Sequence, residues 1–359
     1  MTDEPRPGDA FDDPSGDDPS EDGPTEDGPT EDGEDARAQN LDPAVVLAEI
    51  RGGQPLDRAR LRALSEPDRD TLAGCLRLWP AIDPARRREV LAAMQQLEED
   101  EAALDFHRVG LTALRDPDPA TRMLAVRGLR EQDRAEYMRL LAAQLRDDPV
   151  PMVRVEIAKA LGSFVIAMEF GLLPDDDAET LTAALRDAVE DVEETDDVRG
   201  SALEALGAWS DESTAEMISD LYEVGGPILR LAAIRAMGRN ASEGWLDLLI
   251  YHFDDEDADM RAAAAEAAGQ LLLDEAVDPL VMLATEDKDE DVQVAAIHAL
   301  GEIGNEEVER ILTRWLKERR APHIQDAIRE ALAEVHVITA EMMDGRARRP
   351  TFEDEDDLL

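Results

Sequence analysis

The chain is short of the groups that most enzymes and most nucleic-acid binders depend on. It has one cysteine, Cys75, in 359 residues, so an internal disulfide and a cysteine-based zinc site are both excluded. A lone thiol between Leu72 and Leu76 reads as a small buried residue. The five histidines are His107, His252, His298, His323 and His336. None pairs with another at helical spacing and none is followed by Glu. Neither GxxxxGK[ST] nor GxSxG occurs, so phosphate-loop and nucleophile-elbow chemistry have no sequence support. No run of about 18 apolar residues exists to span a membrane. The N-terminus has neither the basic nor the apolar region of a secretory signal, and the expectation is a soluble cytoplasmic protein. No metal and no cofactor are expected.

Positive charge is scarce as well. Lys and Arg number 37 against 85 Asp and Glu, and only Lys159, Lys288 and Lys317 are lysines. The formal net charge is −48. Residues 1–40 hold 15 acidic residues and two arginines, with the repeat EDGPT at 21–25 and 26–30 and almost no large apolar residue. Such a segment buries too little surface to offset its ordering entropy, and disorder is expected for it. With the −13 of this tail and the −2 of the last 14 residues set aside, −33 remains on residues 41–345. A phosphate backbone would be repelled, so nucleic acid is not an expected partner. An acidic surface with few lysines fits adaptation to high ionic strength, and equally a GC-rich coding sequence that favours Arg.

What the sequence does have is a repeat. Val198–Gly207 reads VRGSALEALG, and the frame returns at Leu229–Gly238, Met260–Gly269 and Val292–Gly301. Looser copies start at Thr121, Val153 and Ile324, and a faint one near Arg86. Counted from Thr121, the starts are 32, 45, 31, 31, 32 and 32 residues apart, which is the signature of a repeat array. With the first residue as position zero, positions zero, four, five, seven and eight share one side of a helix. Positions two and six share the other. Acidic residues and prolines before each copy suit helix starts, and the Gly at position nine is expected to end each helix as a left-handed cap. Room for one more helix lies between copies, as at 213–223, 244–253, 276–284 and 306–317. The expected fold is therefore an all-α solenoid of about eight helical hairpins with a helical N-terminal cap. The expected bounds are a tail at 1–40, a cap at 41–67, the solenoid at 68–335 and a C-terminal tail at 336–359.

This pattern resembles the HEAT repeat family, in particular its short phycobilisome-lyase HEAT-like type, over Asp68–Val335. In such families an Arg at position one and an acid near the preceding turn form a hydrogen-bonded ladder between units. The resemblance implies that role for Arg122, Arg154, Arg199 and Arg261, with Asp116, Asp148, Glu193 and Asp255. Gln293 and Gln325 replace Arg, so the ladder is expected to fade towards the C-terminus. The family also contains deoxyhypusine hydroxylase, which holds iron through repeated His-Glu pairs. This sequence has no such pair.

The resemblance implies a scaffold or adaptor that binds another protein along the concave groove. The alternative it implies is a bilin-lyase-like enzyme or chromophore chaperone. In HEAT-like solenoids the second helix of each hairpin lines the groove, so positions two and six carry the candidate partner-binding residues. These are Met123, Val155, Leu231 and Val294 at position two, and Arg127, Lys159, Arg235 and His298 at position six. The 45-residue spacing holds the apolar insertion SFVIAMEFGLLP at 163–174. It either packs on a lengthened neighbouring helix or forms a knob that meets a partner. After Val335 the pattern stops, with a basic cluster at Arg346, Arg348 and Arg349 before EDEDD at 353–357.

Overall fold

The computed structural model describes residues 41–129 and 134–343, and among them every regular element is helical. The acidic N-terminal tail and the charged runs after Met343 lie outside the described residues. The cap is α1 (Pro43–Arg51) and the short α2 (Arg58–Leu61). Eight antiparallel hairpins follow: α3 (Arg69–Leu78) with α4 (Pro84–Asp100), α5 (His107–Ala113) with α6 (Pro119–Leu129), α7 (Ala135–Asp147) with α8 (Pro151–Glu169), and α9 (Asp175–Glu190) with α10 (Asp196–Leu206). Then come α11 (Glu212–Val224) with α12 (Pro227–Asn240), α13 (Leu246–Tyr251) with α14 (Ala258–Gln270), α15 (Val277–Glu286) with α16 (Glu290–Ile303), and α17 (Glu306–Trp315) with α18 (Pro322–Met343). The first helix of each hairpin is called A here and the second B.

Local chemistry sets the helix starts. Asp42, Asp68, Asp83, Asp211, Asp257, Asp289 and Asn305 each accept a backbone N–H of the first turn. This satisfies donors that have no partner within the helix. Pro43, Pro84, Pro151 and Pro227 occupy the first turn, where no N–H is missed.

The core is a seam between the A and B layers. Val198, Ala202, Leu203, Ala205 and Leu206 are buried, and so are the five matching residues of the copies at 153, 229, 260 and 292. Tyr137, Leu141, Ile218, Leu280 and Leu312 fill the seam from the A side. Position three is buried too, through Ser201, Ala232, Ala263, Ala295 and Ala327, because successive B helices also pack on each other.

The Gly at position nine does not cap its helix in the left-handed region. Gly162, Gly238, Gly269 and Gly301 lie inside helices, and Gly207 has a right-handed φ of −50°. Each sits where its B helix touches the next. A β-carbon on Gly238 would stand 2.6 Å from the Cα of Ala267, and one on Gly269 2.6 Å from the Cα of Ala299. Gly207 faces Ala236 and Gly301 faces Ala331 at similarly short range, whereas at Gly162 a β-carbon would stand 3.7 Å from Ala205, an ordinary contact. Position nine of one unit thus meets position seven of the next, and both must be small for the backbones to come this close. At an upstream joint the sizes are exchanged: Gln95 at position nine reaches over Gly128 at position seven, and its Nε2 donates to the Leu124 carbonyl at 2.7 Å. Small residues hold the B layer tight, and each B helix packs directly on the next, while Leu, Ile and Tyr fill the A side of the seam.

The arginine ladder is present, in a form more specific than expected. Arg122 donates from Nη1 to the backbone carbonyl of Asp116, six residues back, at 2.8 Å. Its Nε and Nη2 grip the carboxylate of Asp148 in the next unit, both at 2.8 Å. Arg261 repeats this with the Asp255 carbonyl and the Asp287 carboxylate. Arg154 takes the Asp148 carbonyl and the carboxylate of Glu194, not that of Glu193. One unit upstream, Arg87 pairs with buried Asp116 at 3.1 Å. Arg199 breaks the series: it donates to the Val189 carbonyl, and Glu193 is not its partner. Gln293 and Gln325 keep only the carbonyl half, donating to the carbonyls of Asp287 and Glu318.

The insertion lengthens α8 to 19 residues and is matched by a 16-residue α9. Phe164 and Val165 are buried, and Glu169 is tied to Ser210 beyond α10. Ile166, Phe170 and Leu172 remain exposed, the last two at 73% and 75%. The insertion is thus partly self-packed and partly a knob. α18 runs to Met343, eight residues past the boundary expected at Val335. No helix among the described residues is long and apolar enough to cross a membrane.

Candidate interaction groove

Where α8, α10, α12 and α14 lie side by side, their inner faces enclose a hollow of about 660 Å³. Its floor is made of small groups, Gly200, Ser201, Ala232, Ala263 and Ala267. Small residues chosen for close helix contact thus also leave the space above them open. Val155, Ile228 and Leu231 supply apolar walls, and Lys159, Arg235 and Arg239 supply cations. Asp197, Glu204 and Glu266 stand among them.

The electrostatics of these cations differ from those of the ladder. Arg235 and Arg239 share one carboxylate, Glu204, at 3.6 Å and 3.8 Å, both outside hydrogen-bond range, and Arg239 Nη1 donates to the Glu204 backbone carbonyl at 3.2 Å. Lys159 has no carboxylate partner among the described residues. The ladder arginines, by contrast, are fully engaged. Burial pushes the carboxyls of Asp148, Glu194 and Asp287 up, but hydrogen bonds from Arg122, Arg154 and Arg261, together with the backbone N–H groups of Val150, Thr195 and Asp289 and the charge of the arginines, outweigh it and hold all three below the usual carboxylate range. Neither Arg235 nor Arg239 makes a hydrogen bond to a carboxylate among the described residues.

Of the eight residues singled out from the sequence, the hollow brings together Val155, Lys159, Leu231 and Arg235. Met123 and Val294 are half-buried against the core on α6 and α16, outside the hollow. Arg127 is committed to Glu156 through two hydrogen bonds of 2.9 Å. His298 lies 3.7 Å from Glu330. Arg239, Ile228 and Gln270 were not anticipated. They fall at positions ten and minus one, beyond the ten-residue frame, and their signal is that the flanks of the frame turn back towards the same face.

Further along the B layer the charge changes sign. Glu302, on α16, leans over Gly269 of α14, and its Oε2 is buried without a hydrogen-bond partner. Burial first, then the nearby carboxylates of Glu334 and Glu266, push its carboxyl up to about 7. Among the described residues no cluster of His, Cys, Asp and Glu has the arrangement to hold a metal ion.

The profile of the HEAT repeats family matches residues 110–195, 193–269 and 246–333, well over half of the chain. The chain belongs to the HEAT repeat family. Among curated proteins none matches this sequence. Solved structures of similar fold include the Escherichia coli protein YibA, at 18% identity and a TM-score of 0.41, covering 76% of this chain and 94% of that one. Human deoxyhypusine hydroxylase in complex with glycerol is similar at 20% identity and a TM-score of 0.31, covering 75% and 96%. At these scores neither likeness bears on what this HEAT-repeat protein does.

Proposed function

We propose that this HEAT-repeat protein is a binding scaffold that takes a segment of another protein along the groove of its B helices. One observation carries the reading. Apolar side chains and incompletely paired cations converge on a single open hollow, in a chain whose net charge is −48. Val155, Ile228 and Leu231 offer apolar area to a partner side chain, and Lys159, Arg235 and Arg239 offer donors that fix its register. Binding, not bond-breaking, is what such a set of groups serves.

The test compares capture from the native lysate by the wild-type chain, by Leu231→Asp with Arg235→Glu, and by Asp220→Lys on the exposed face of α11. A protein retained by the wild type and by Asp220→Lys, and lost by the groove variant at unchanged helicity, supports the reading. Equal retention by all three chains contradicts it.

A further inference from the structure

One end of the groove carries carboxylates alone, the other carries Lys159, Arg235 and Arg239 among Asp197, Glu204 and Glu266, and the stretch of chain that follows α18 carries an arginine run and then an acidic run. On the groove, Arg235 and Arg239 of α12 lie two helices away from Glu302 of α16. The carboxylates of Glu266 and Glu334 act on Glu302 from either side. In the sequence, Arg346, Arg348 and Arg349 come first and Glu353–Asp357 follow, with Phe352 between the two runs.

We propose that residues 344–359 dock in this groove, with the arginine cluster on Glu302 and Glu334 and the acidic run on Arg235 and Arg239. The inference rests on the groove being a binding surface, and it names the chain's own occupant.

Reach and order both fit. Glu334 precedes the end of α18 by nine residues, or about 14 Å of helix. Five or six extended residues cover roughly 16–20 Å, which brings Arg348 and Arg349 back to its level. Two interhelical steps, from α16 to α12, span about 16–20 Å. Four to eight residues separate Arg349 from the acidic run, enough for roughly 13–28 Å. The basic run therefore reaches the acidic end of the groove first, and the acidic run then reaches the cations. Glu302 gains the donor its buried oxygen lacks. The N-terminal tail is a poorer fit, since it holds 15 acidic residues against two separated arginines, offers no basic run, and would be repelled by Glu302 and Glu334. A docked tail leaves a partner to compete with a segment held at high local concentration.

Disulfide trapping in the full-length chain tests this. Cys75 is buried and its thiol is pushed up to about 11, so it stays out of the reaction. Phe352→Cys is combined with Gln270→Cys in the groove, or with Asp220→Cys on the outer layer as control. Intramolecular cross-linking to position 270 is expected to be faster by about ten-fold or more, the advantage of a docked over a free tether. Arg346→Glu with Arg348→Glu and Arg349→Glu is expected to remove that advantage. Equal rates to positions 270 and 220 overturn the proposal. So does an unchanged rate in the triple variant, or a faster cross-link from Phe11→Cys in the N-terminal tail. Partner capture is read separately. Loss of the tail cross-link with capture intact removes only the tail inference, and a cross-link without capture removes only the partner reading.

Discussion

Gly269→Ala is the substitution on which the description of the B layer can be tested most sharply. In the interior of an exposed helix, replacing Gly by Ala gains about 0.5–1 kcal/mol, because alanine orders its backbone at lower cost. At Gly269 the new β-carbon would stand 2.6 Å from the Cα and 2.7 Å from the Cβ of Ala299, and 2.8 Å from Oε2 of Glu302. Carbon atoms settle at about 3.5–4.0 Å, so α14 and α16 must part by about 1 Å. Overpacking of this kind costs about 1–3 kcal/mol, which outweighs the gain in propensity. A net loss of about 0–2.5 kcal/mol is expected from these two terms. Gly74, inside α3, supplies the control, because a β-carbon there meets nothing within 4 Å. Gly74→Ala should stabilise by about 0.5–1 kcal/mol. Urea unfolding followed by circular dichroism reads both. Adding Ala299→Gly relieves the contact at 2.7 Å but leaves the backbone contact at 2.6 Å, so it should rescue Gly269→Ala only in part. If Gly269→Ala stabilises as Gly74→Ala does, the glycines are not placed for helix contact and the account of the joints is wrong.

The ladder and the surface charge give three further expectations. Arg261→Gln keeps the carbonyl contact that Gln293 makes, but it leaves the buried Asp287 carboxylate without its cation, and should cost about 3 kcal/mol in urea unfolding. Asp148, Glu194 and Asp287 have folded pKa values below their ordinary 3.8, 4.5 and 3.8. The stability they contribute is therefore complete above those ordinary values and is lost as pH falls through the lowered ones. An acid titration of wild type against Arg261→Gln should show the difference between the two chains shrinking as Asp287 protonates, and a constant difference refutes the linkage. Self-repulsion among charges summing to −48 should make the melting temperature rise from low to molar KCl, and a flat response disposes of adaptation to high salt.

Much of the fold was legible because one helical face must be apolar and must recur with each unit. Val198, Leu203 and Leu206, with their counterparts, announce the seam without reference to any neighbour. The glycines were misread for a physical reason. A Gly near the end of an apolar stripe suits a left-handed cap and a close helix contact equally well. Only the Ala of the next unit, about 30 residues on, tells them apart. The partner is Glu194 and not Glu193 because in this turn the carboxylate that reaches Arg154 stands five residues before Arg199, where the other units have it six before, and a fixed spacing cannot show that. In the groove, Val155, Lys159, Leu231 and Arg235 could be found from period alone. What the period cannot give is which cations are already taken. Arg127 looks like Arg235 in the frame, but Glu156 occupies it and only the loosely shared Glu204 faces Arg235.

The central claim is that the inner face of the B helices is the binding face. Amide hydrogen exchange, measured on the full-length chain alone and with a captured partner, addresses it directly. The account predicts added protection in α8, α10, α12 and α14, greatest around Ile228–Arg239, with α11, α13 and α15 unchanged. Protection concentrated on those A helices, or on the exposed Phe170 and Leu172 of the insertion, would contradict it.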